Sequence, residues 1–243
     1  MTAPILSIIT ICRNEPFITD TCDSIIGQTN QNFEWIIIDG ASTDGTLEKL
    51  AQYKHRANVF ISEADNGIFS AQNKGARHAR GKYLLFMNGG DTIYDKNTID
   101  KVMPYLETDA ECVFYGDTYC RFNAPEKCFV KTYPDILDKD FFLGATIGHQ
   151  SAFIHRNLIE KYGPYREDFK IVSDKEKWLK YLDAGVMFRH MAFPCARFRM
   201  DGVSSTPSER LKAEDKRLLA EYFSISTLQN SDLPYLQELF QND

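Results

Sequence analysis

Apolar runs and polar turns alternate along the first part of this chain. Four short runs rich in aliphatic residues lie at Leu6–Ile11, Trp35–Ile38, Val59–Ile61 and Lys82–Met87, a pattern typical of strands buried on both faces of a sheet. A polar or glycine-containing turn and a segment with helical periodicity follow each of the first three runs. Repeated units of this kind predict an α/β fold whose central sheet is Rossmann-like, mostly parallel and flanked by helices.

The pattern changes in the second half of the chain. Longer segments at Cys112–Tyr119 and Cys128–Thr132 predict antiparallel strands, and His149–His155 predicts a further strand. Helical periodicity extends across Asp174–Ala184 and Ser208–Phe223. No linker or internal repeat separates the two parts, so we expect them to share one core.

The composition narrows the class of protein. A chain of 243 residues with 43% hydrophobic content can bury a large core. Its formal net charge of −6 argues against broad binding of nucleic acid, which depends on clustered Lys and Arg. The first residues do not form a signal-type segment, and no apolar run reaches the ~20 residues that span a bilayer. We therefore expect a cytoplasmic protein whose membrane contact, if it has any, is peripheral at the inner face.

The six cysteines include no CxxC pair. Cys112, Cys120 and Cys128 are spaced eight residues apart, but this spacing matches no zinc motif. Free cysteine behaves as a small hydrophobic residue. Buried free thiols are therefore favoured over a metal site.

Acidic side chains follow three of the predicted parallel strands. Asp39, Glu63, Asp65 and Asp91 lie at the ends of these apolar runs or in the short turns that follow them. Because the carboxyl ends of parallel strands meet at one edge of a sheet, where ligands bind, these carboxylates are expected to collect at that edge.

Two of these positions belong to motifs with competing interpretations. In Asp39–Thr46, Asp39 could accept a hydrogen bond from a nucleotide base, although Ser42–Thr46 alone is better explained as a turn and helix cap. In Asn88–Asp91, the carboxylate could hold Mg²⁺ or Mn²⁺ and the glycines could leave room for a diphosphate. An ordinary turn explains this second motif equally well.

The remaining polar candidates are also ambiguous. Lys74 and Arg77 share one face of a predicted helix, where they could meet phosphate or simply face solvent. Asp174 could be a general base or only a charge at a helix start. His149, next to Gln150, is by itself more typical of a structural histidine.

Taken in order, the motifs resemble those of the family 2 inverting glycosyltransferases of GT-A fold. The similarity covers about residues 6–205, and it is closest to a bacterial exopolysaccharide subgroup that includes colanic acid biosynthesis enzymes. The motifs that carry it are LSIITICRNE, DGASTDGT, SEADNGIFSAQNKG, GKYLLFMNGGD, GHQSAFIHR, FKIVSDKEKWLKYLDAG and FRMDGVSS.

The resemblance implies roles for individual residues. Positions implied to bind the nucleotide sugar are Thr10, Arg13, Asn14, Glu15, Asp39, Asp65, Lys74, Asn88 and Gly90. Asp91 takes the position of the metal-binding aspartate, which implies Mn²⁺ or Mg²⁺ as cofactor, and Asp174 takes that of the catalytic base. His149 and Gln150 are assigned to the acceptor side.

The same resemblance implies a domain organisation. One catalytic domain would cover residues 1–224, with a nucleotide-sugar-binding half at 1–118 and a smaller, antiparallel acceptor-binding half at 119–224. A helical tail would follow at 225–243. The expected partners are a nucleoside-diphosphate sugar and an oligosaccharide or lipid-linked glycan acceptor.

Three positions depart from the family pattern. Gly90 stands where many relatives carry a second aspartate, Ser173 precedes the predicted base in place of glutamate, and Asp201 stands where many relatives carry a histidine near the metal. The missing second carboxylate keeps open an alternative hypothesis, a nucleotide-sugar-binding protein without transferase activity. A nucleotidyltransferase is disfavoured because no glycine-rich, lysine-containing loop follows the first strand.

The C-terminal segment has two interpretations as well. It contains Arg210, Lys212, Lys216 and Arg217 together with the apolar residues Leu211, Leu218, Leu219 and Tyr222. A solvated helix face is the simpler interpretation, and docking on an anionic membrane surface is the alternative.

Overall fold

The computed structural model describes residues 3–108, 110–200 and 208–240. In this part of the chain the strands form one mixed sheet in the order β3-β2-β1-β4-β8-β6-β9-β5, and β7 pairs with β6. The strands are β1 Leu6–Cys12, β2 Glu34–Asp39, β3 Val59–Ser62, β4 Tyr83–Asn88, β5 Thr92–Ile93, β6 Cys112–Arg121, β7 Phe129–Lys131, β8 Ala152–His155 and β9 Met187–Arg199. The helices are α1 Ile18–Ile26, α2 Thr46–Ala51, α3 Ile68–His78, α4 Thr98–Leu106, α5 Phe141–Gly144, α6 Arg156–Tyr162, α7 Ser173–Asp183, α8 Glu209–Tyr222, α9 Ile225–Gln229 and α10 Pro234–Phe240.

The first four strands are parallel neighbours, which confirms the prediction for this half of the sheet. Every residue of β1 is buried. Ile9 and Ile11 pack into the core on the face covered by α3, whereas Leu6 and Ile8 pack into the core on the face covered by α1. A strand enclosed in this way has to be apolar on both faces, which is why its run does not alternate.

The second half of the sheet differs from the sequence-based expectation in two places. Residues His149–Ser151 form a 3₁₀ turn instead of the start of a strand, and β8 begins only at Ala152. Hydrogen bonds hold this turn, because Ser151 Oγ donates to the Asp117 carbonyl and lies 2.9 Å from Thr118 Oγ1. The prediction for His149–Ser151 was therefore wrong, whereas the antiparallel pairing of β6 with β7 is confirmed.

The long strand β9 was not predicted. It runs parallel to β6, with register shifts around Asp117 that accommodate Pro194. Charged residues and a proline within Met187–Arg199 conceal the apolar alternation from which a strand is normally recognised. The strand matters for function because it ends at the edge of the sheet where β1 and β4 also end.

The C-terminal helices form a small core of their own against α5 and α8. Its buried members are Leu143, Leu219, Leu228, Leu236, Leu239 and Phe240. Two of the basic residues on α8 form ion pairs: Arg217 with Asp168 and Glu221, and Lys212 with Glu238. These pairs favour the solvated-face interpretation of the segment. Among the described residues, no helix has the length and apolar character needed to cross a membrane.

All six cysteines are free and five are buried, which agrees with the prediction for Cys112 and Cys120, whereas Cys128 is only half-buried. One of them, Cys22 on α1, makes folding stability sensitive to alkaline pH. Burial raises the pKa of its thiol to about 12, compared with about 8.5 in an unfolded chain. Below about pH 8.5 the thiol is neutral in both states. Above it only the unfolded chain releases the proton, so stability falls by up to about 1.4 kcal/mol per pH unit until the folded thiol also ionises.

We therefore expect the thermal midpoint of the wild-type protein to fall more steeply than that of Cys22→Ala as pH rises above about 8.5. Differential scanning calorimetry at a series of pH values measures both slopes. Parallel slopes for the two proteins would show that Cys22 does not carry the effect.

Candidate functional site

A cavity of about 440 Å³ opens at the carboxyl edge of β1 and β4. Its wall also includes the end of β9, the start of α3 and the start of α7. The sequence-predicted site residues that line it are Arg13, Glu15, Asp65, Asn88, Gly90, Asp91, His149 and Asp174. Residues far apart in the sequence thus meet in one cavity, as expected for ligand binding at the carboxyl ends of parallel strands.

Asp91 lies on the turn that follows β4. Gly90 adopts a φ of 94°, a left-handed conformation that favours glycine over other residues. The hydroxyl of Thr21 accepts a hydrogen bond from the Gly90 amide at 2.9 Å and donates one to the Asp91 carbonyl at 2.7 Å. The turn is therefore fixed by α1, and it presents the Asp91 carboxylate to the cavity.

The Asp91 carboxylate is buried, and its surroundings disfavour its ionised form. Its Oδ1 accepts a hydrogen bond from the Arg199 amide at 3.1 Å. Burial raises the pKa of Asp91 to about 7, and the nearby Glu15 carboxylate adds to this increase, whereas His149 and Arg199 oppose it. A buried acid with a raised pKa gains stability when a cation approaches it.

Asp174 occupies the first turn of α7 and is paired with His149. Its Oδ2 lies 3.2 Å from His149 Nδ1, and its Oδ1 accepts a hydrogen bond from the Lys175 amide at 2.8 Å. The other ring nitrogen, His149 Nε2, is buried and has no hydrogen-bond partner among the described residues. The contact through Nδ1 holds the carboxylate in one orientation.

Arg199, at the end of β9, is the main cationic side chain that sequence reasoning missed. It stacks on the Phe17 ring, with its guanidinium carbon 3.8 Å from the ring centroid, and its Nη1 lies 3.4 Å from Glu15 Oε1. The available signal was its place in the motif FRMDG. Without recognition of β9, that motif could not be placed at the edge of the sheet. Phe198, Lys170 and Ile171 also line the cavity and were not predicted.

Three predicted residues lie beside the cavity without lining it. Thr10 is fully buried, and its hydroxyl accepts a hydrogen bond from the Trp35 indole at 3.0 Å, so its side chain is unavailable to a nucleoside. Asp39 is buried and accepts hydrogen bonds from the hydroxyls of Ser42 and Ser62. Gln150 is buried in the turn before β8.

Two more predicted residues have partners of their own outside the cavity lining. The ammonium group of Lys74 lies 2.9 Å from the Glu63 carboxylate. Asn14 adopts a φ of 50°, and its side-chain oxygen accepts a hydrogen bond from the Thr43 amide at 2.8 Å. Asn14 and Asp39 therefore shape the loops around the cavity. Asp201 lies outside the described residues.

The oxygen atoms that line the cavity fit a divalent cation whose remaining ligands come from a bound phosphate. No cluster of three or more His, Cys, Asp or Glu side chains able to hold a metal occurs within residues 3–108, 110–200 and 208–240. Mg²⁺ and Mn²⁺ commonly take only one or two protein carboxylates and complete their shell with phosphate oxygens and water. Asp91, with Glu15 beside it, matches this requirement.

Comparison with solved structures shows the fold. The S. aureus TarS structure in complex with UDP-GlcNAc is similar with a TM-score of 0.68 at 18% identity, over 96% of this chain and 71% of that one. The mannosyltransferase PcManGT from Pyrobaculum calidifontis, in complex with GDP-Man and Mn²⁺, is similar with a TM-score of 0.60 at 18% identity, over 99% of this chain and 69% of that one. The α/β architecture is thus that of GT-A glycosyltransferases, as the sequence predicted.

Sequence comparison identifies the family. The PGL/p-HBAD biosynthesis glycosyltransferase of Mycobacterium bovis (strain BCG / Pasteur 1173P2) is 28% identical over 221 residues, which cover 85% of this chain and 81% of the relative. Residues 7–168 match the family described as Glycosyl transferase family 2. This match extends over more than half of the chain and includes the turn that carries Asp91. The chain therefore belongs to glycosyl transferase family 2.

Proposed function

We propose that the protein transfers a sugar from a nucleoside-diphosphate donor to a glycan acceptor by direct displacement, with inversion at the anomeric carbon. The observation that carries this proposal is the shared cavity of Asp91 and Asp174. One carboxylate is suited to a cation and the other to a proton. Family 2 membership sets the reaction class, and the cavity supplies candidates for both roles.

Asp174 is the proposed general base. It accepts the proton of the acceptor hydroxyl as that oxygen attacks the anomeric carbon, and the bond from this carbon to the donor diphosphate breaks. His149 orients the carboxylate through the contact between Nδ1 and Oδ2.

His149→Ala is expected to reduce turnover less than Asp174→Asn does, and to alter the pH profile of kcat. An unchanged pH profile would argue against this positioning role.

Asp91 and Glu15 are the proposed binding site for Mn²⁺ or Mg²⁺. When bound, the ion would stabilise the negative charge that develops on the departing diphosphate. Arg199 and Arg13 extend the cationic part of the wall towards the same phosphates. Asp65 and Asn88 lie in the same wall and are proposed to contact the ribose and the diphosphate.

The relatives support the proposed donor and acceptor classes. Two solved neighbours contain UDP-GlcNAc and GDP-Man, which supports a nucleotide sugar as donor without selecting the base. The mycobacterial relative is named for PGL/p-HBAD biosynthesis, which supports a role in the synthesis of a cell-surface glycan. A role in colanic acid or another exopolysaccharide, and a location at the inner face of the membrane, stay predictions.

The alternative is a protein of the same fold that binds a nucleotide sugar but transfers nothing. Gly90 motivates it, because this position supplies no second carboxylate. The deciding experiment first ranks UDP and GDP sugars by thermal shift with Mn²⁺. It then measures release of the nucleoside diphosphate in the presence of candidate glycan acceptors. Acceptor-dependent release supports the transferase, whereas donor binding without release under any acceptor supports the alternative.

A further inference from the structure

A second cavity of about 280 Å³ adjoins the one that holds Asp91 and Asp174. The two cavities share Arg199, whose side chain forms part of both walls. The second cavity lies where β6 and β9 end side by side, and Arg121 pairs with Arg199 in the register of these strands. The two cavities therefore meet at Arg199.

The second cavity is cationic. Arg121 and Lys127 are exposed and line it together with Arg199. Among the described residues, the acidic neighbour of Arg121 is a distant one, since its Nη1 lies 4.0 Å from Asp20 Oδ2 and both side chains are about half exposed. In the described part of the chain no carboxylate forms an ion pair with Lys127. Within residues 3–108, 110–200 and 208–240, the positive charge of the two exposed side chains is therefore poorly balanced by nearby carboxylates.

Aromatic rings accompany these cations. Phe17 is 43% exposed, and its ring carries the Arg199 guanidinium on one face. Phe122 lines the cavity and packs on Phe129, which is 48% exposed, with the ring centroids 6.3 Å apart. Exposed aromatic rings beside cations suit a ligand that has both an apolar face, such as that of a sugar ring, and a negative charge.

The backbone around the second cavity is held by hydrogen bonds. The Met200 amide donates to the Arg121 carbonyl at 3.0 Å, which extends the pairing of β9 with β6 to the rim. The Cys128 sulfur accepts a hydrogen bond from the Phe122 amide at 3.4 Å and so closes the turn between β6 and β7. Arg121, Lys127, Phe122 and Phe129 thus lie on a defined hairpin, with Arg199 on the neighbouring strand β9.

We propose that this second cavity is an acceptor subsite that selects a glycan carrying an anionic group, a phosphate or a carboxylate, next to the sugar that receives the transferred unit. The inference rests on the proposed transferase function. The receiving hydroxyl lies in the first cavity near Asp174, and the neighbouring anionic group lies against Arg121 and Lys127. The subsite takes the acceptor because the donor diphosphate is already accounted for by the cationic part of the first cavity.

The test measures the binding of small acceptor mimics to the full-length protein. The protein is first saturated with Mn²⁺ and the nucleoside diphosphate that gives the largest thermal shift. Methyl glucoside, methyl glucuronide and methyl glucoside 6-phosphate are then titrated by NMR. We expect at least one of the two anionic mimics to bind about tenfold more tightly than the neutral one, or better, and the stronger of the two identifies the anionic group as carboxylate or phosphate.

The double variant Arg121→Ala/Lys127→Ala is expected to lose this preference and to keep its nucleotide affinity. Lys54→Ala/Lys96→Ala, which removes two exposed cations elsewhere, is the matched control and is expected to keep the preference. Equal binding of neutral and anionic mimics by the wild type overturns the inference, and so does a preference that survives in the double variant. In either case, intact nucleotide binding leaves the proposed function standing, whereas a protein that binds no nucleotide overturns both.

Discussion

Asp174→Asn is expected to lower the rate of sugar transfer by about 10²- to 10⁴-fold, the usual contribution of a positioned general base. Asparagine has nearly the same shape, and its side-chain oxygen can still accept the hydrogen bond that Asp174 receives from the Lys175 amide. It cannot accept the proton of the acceptor hydroxyl. Donor affinity should be unchanged, because the base acts on the acceptor.

The experiment for Asp174 compares kcat and the donor Kd of the variant with those of the wild type. Asp183→Asn is a matched control: it lies at the end of the same helix, far along the axis from Asp174, and pairs with Lys139 at the surface. We expect the control to retain wild-type kcat. A variant of Asp174 that keeps wild-type kcat would mean that another group accepts the proton.

Asp91→Asn is expected to have the second large effect, a loss of metal-assisted donor binding. Removing one group that stabilises developing charge commonly costs about 10²- to 10³-fold in kcat. The Mn²⁺-dependent increase in nucleoside-diphosphate affinity should also disappear, since a neutral amide is a far weaker ligand than a carboxylate. Isothermal titration with and without Mn²⁺ measures this difference directly.

Although Asp91→Asn is expected to lower activity, it should not lower the stability of the folded protein. Burial raises the pKa of this carboxyl group to about 7, so the ionised form is unfavourable in the folded protein. The amide removes that cost, and we expect Asp91→Asn to have a thermal midpoint equal to or above that of the wild type at pH 8. Asp100→Asn, on the exposed side of α4, serves as the control and should change neither property. A midpoint well below that of the wild type would assign Asp91 a structural role.

The parallel half of the fold could be predicted because burial leaves a direct trace in the sequence. A strand such as β1, enclosed on both faces, must be an uninterrupted apolar run. The strand β9 left no such trace, since Pro194 and several charges interrupt it and its partner strand shifts register to fit them. The turn at His149–Ser151 was missed for a related reason, because hydrogen bonds from distant residues hold it and local propensity does not.

The site was predictable to the extent that it depends on strand ends. Asp91 and Asp65 could be placed at the edge of the sheet because each follows an apolar run. The contact of His149 with Asp174 and the position of Arg199 depend on tertiary packing, so spacing could not reveal them. The prediction for Thr10 shows a further limit of sequence reasoning. Because β1 is enclosed on both faces, the Thr10 side chain points into the core towards Trp35.

The most direct test of the proposed mechanism is a crystal structure of the Asp174→Asn variant with Mn²⁺ and the nucleotide sugar that gives the largest thermal shift. The substitution prevents turnover of the bound sugar. We predict that Mn²⁺ contacts both Asp91 and the donor diphosphate, and that the anomeric carbon faces residue 174 with room between them for an acceptor hydroxyl. A donor bound with its diphosphate away from Asp91, or with residue 174 behind the leaving group, would contradict the proposed mechanism.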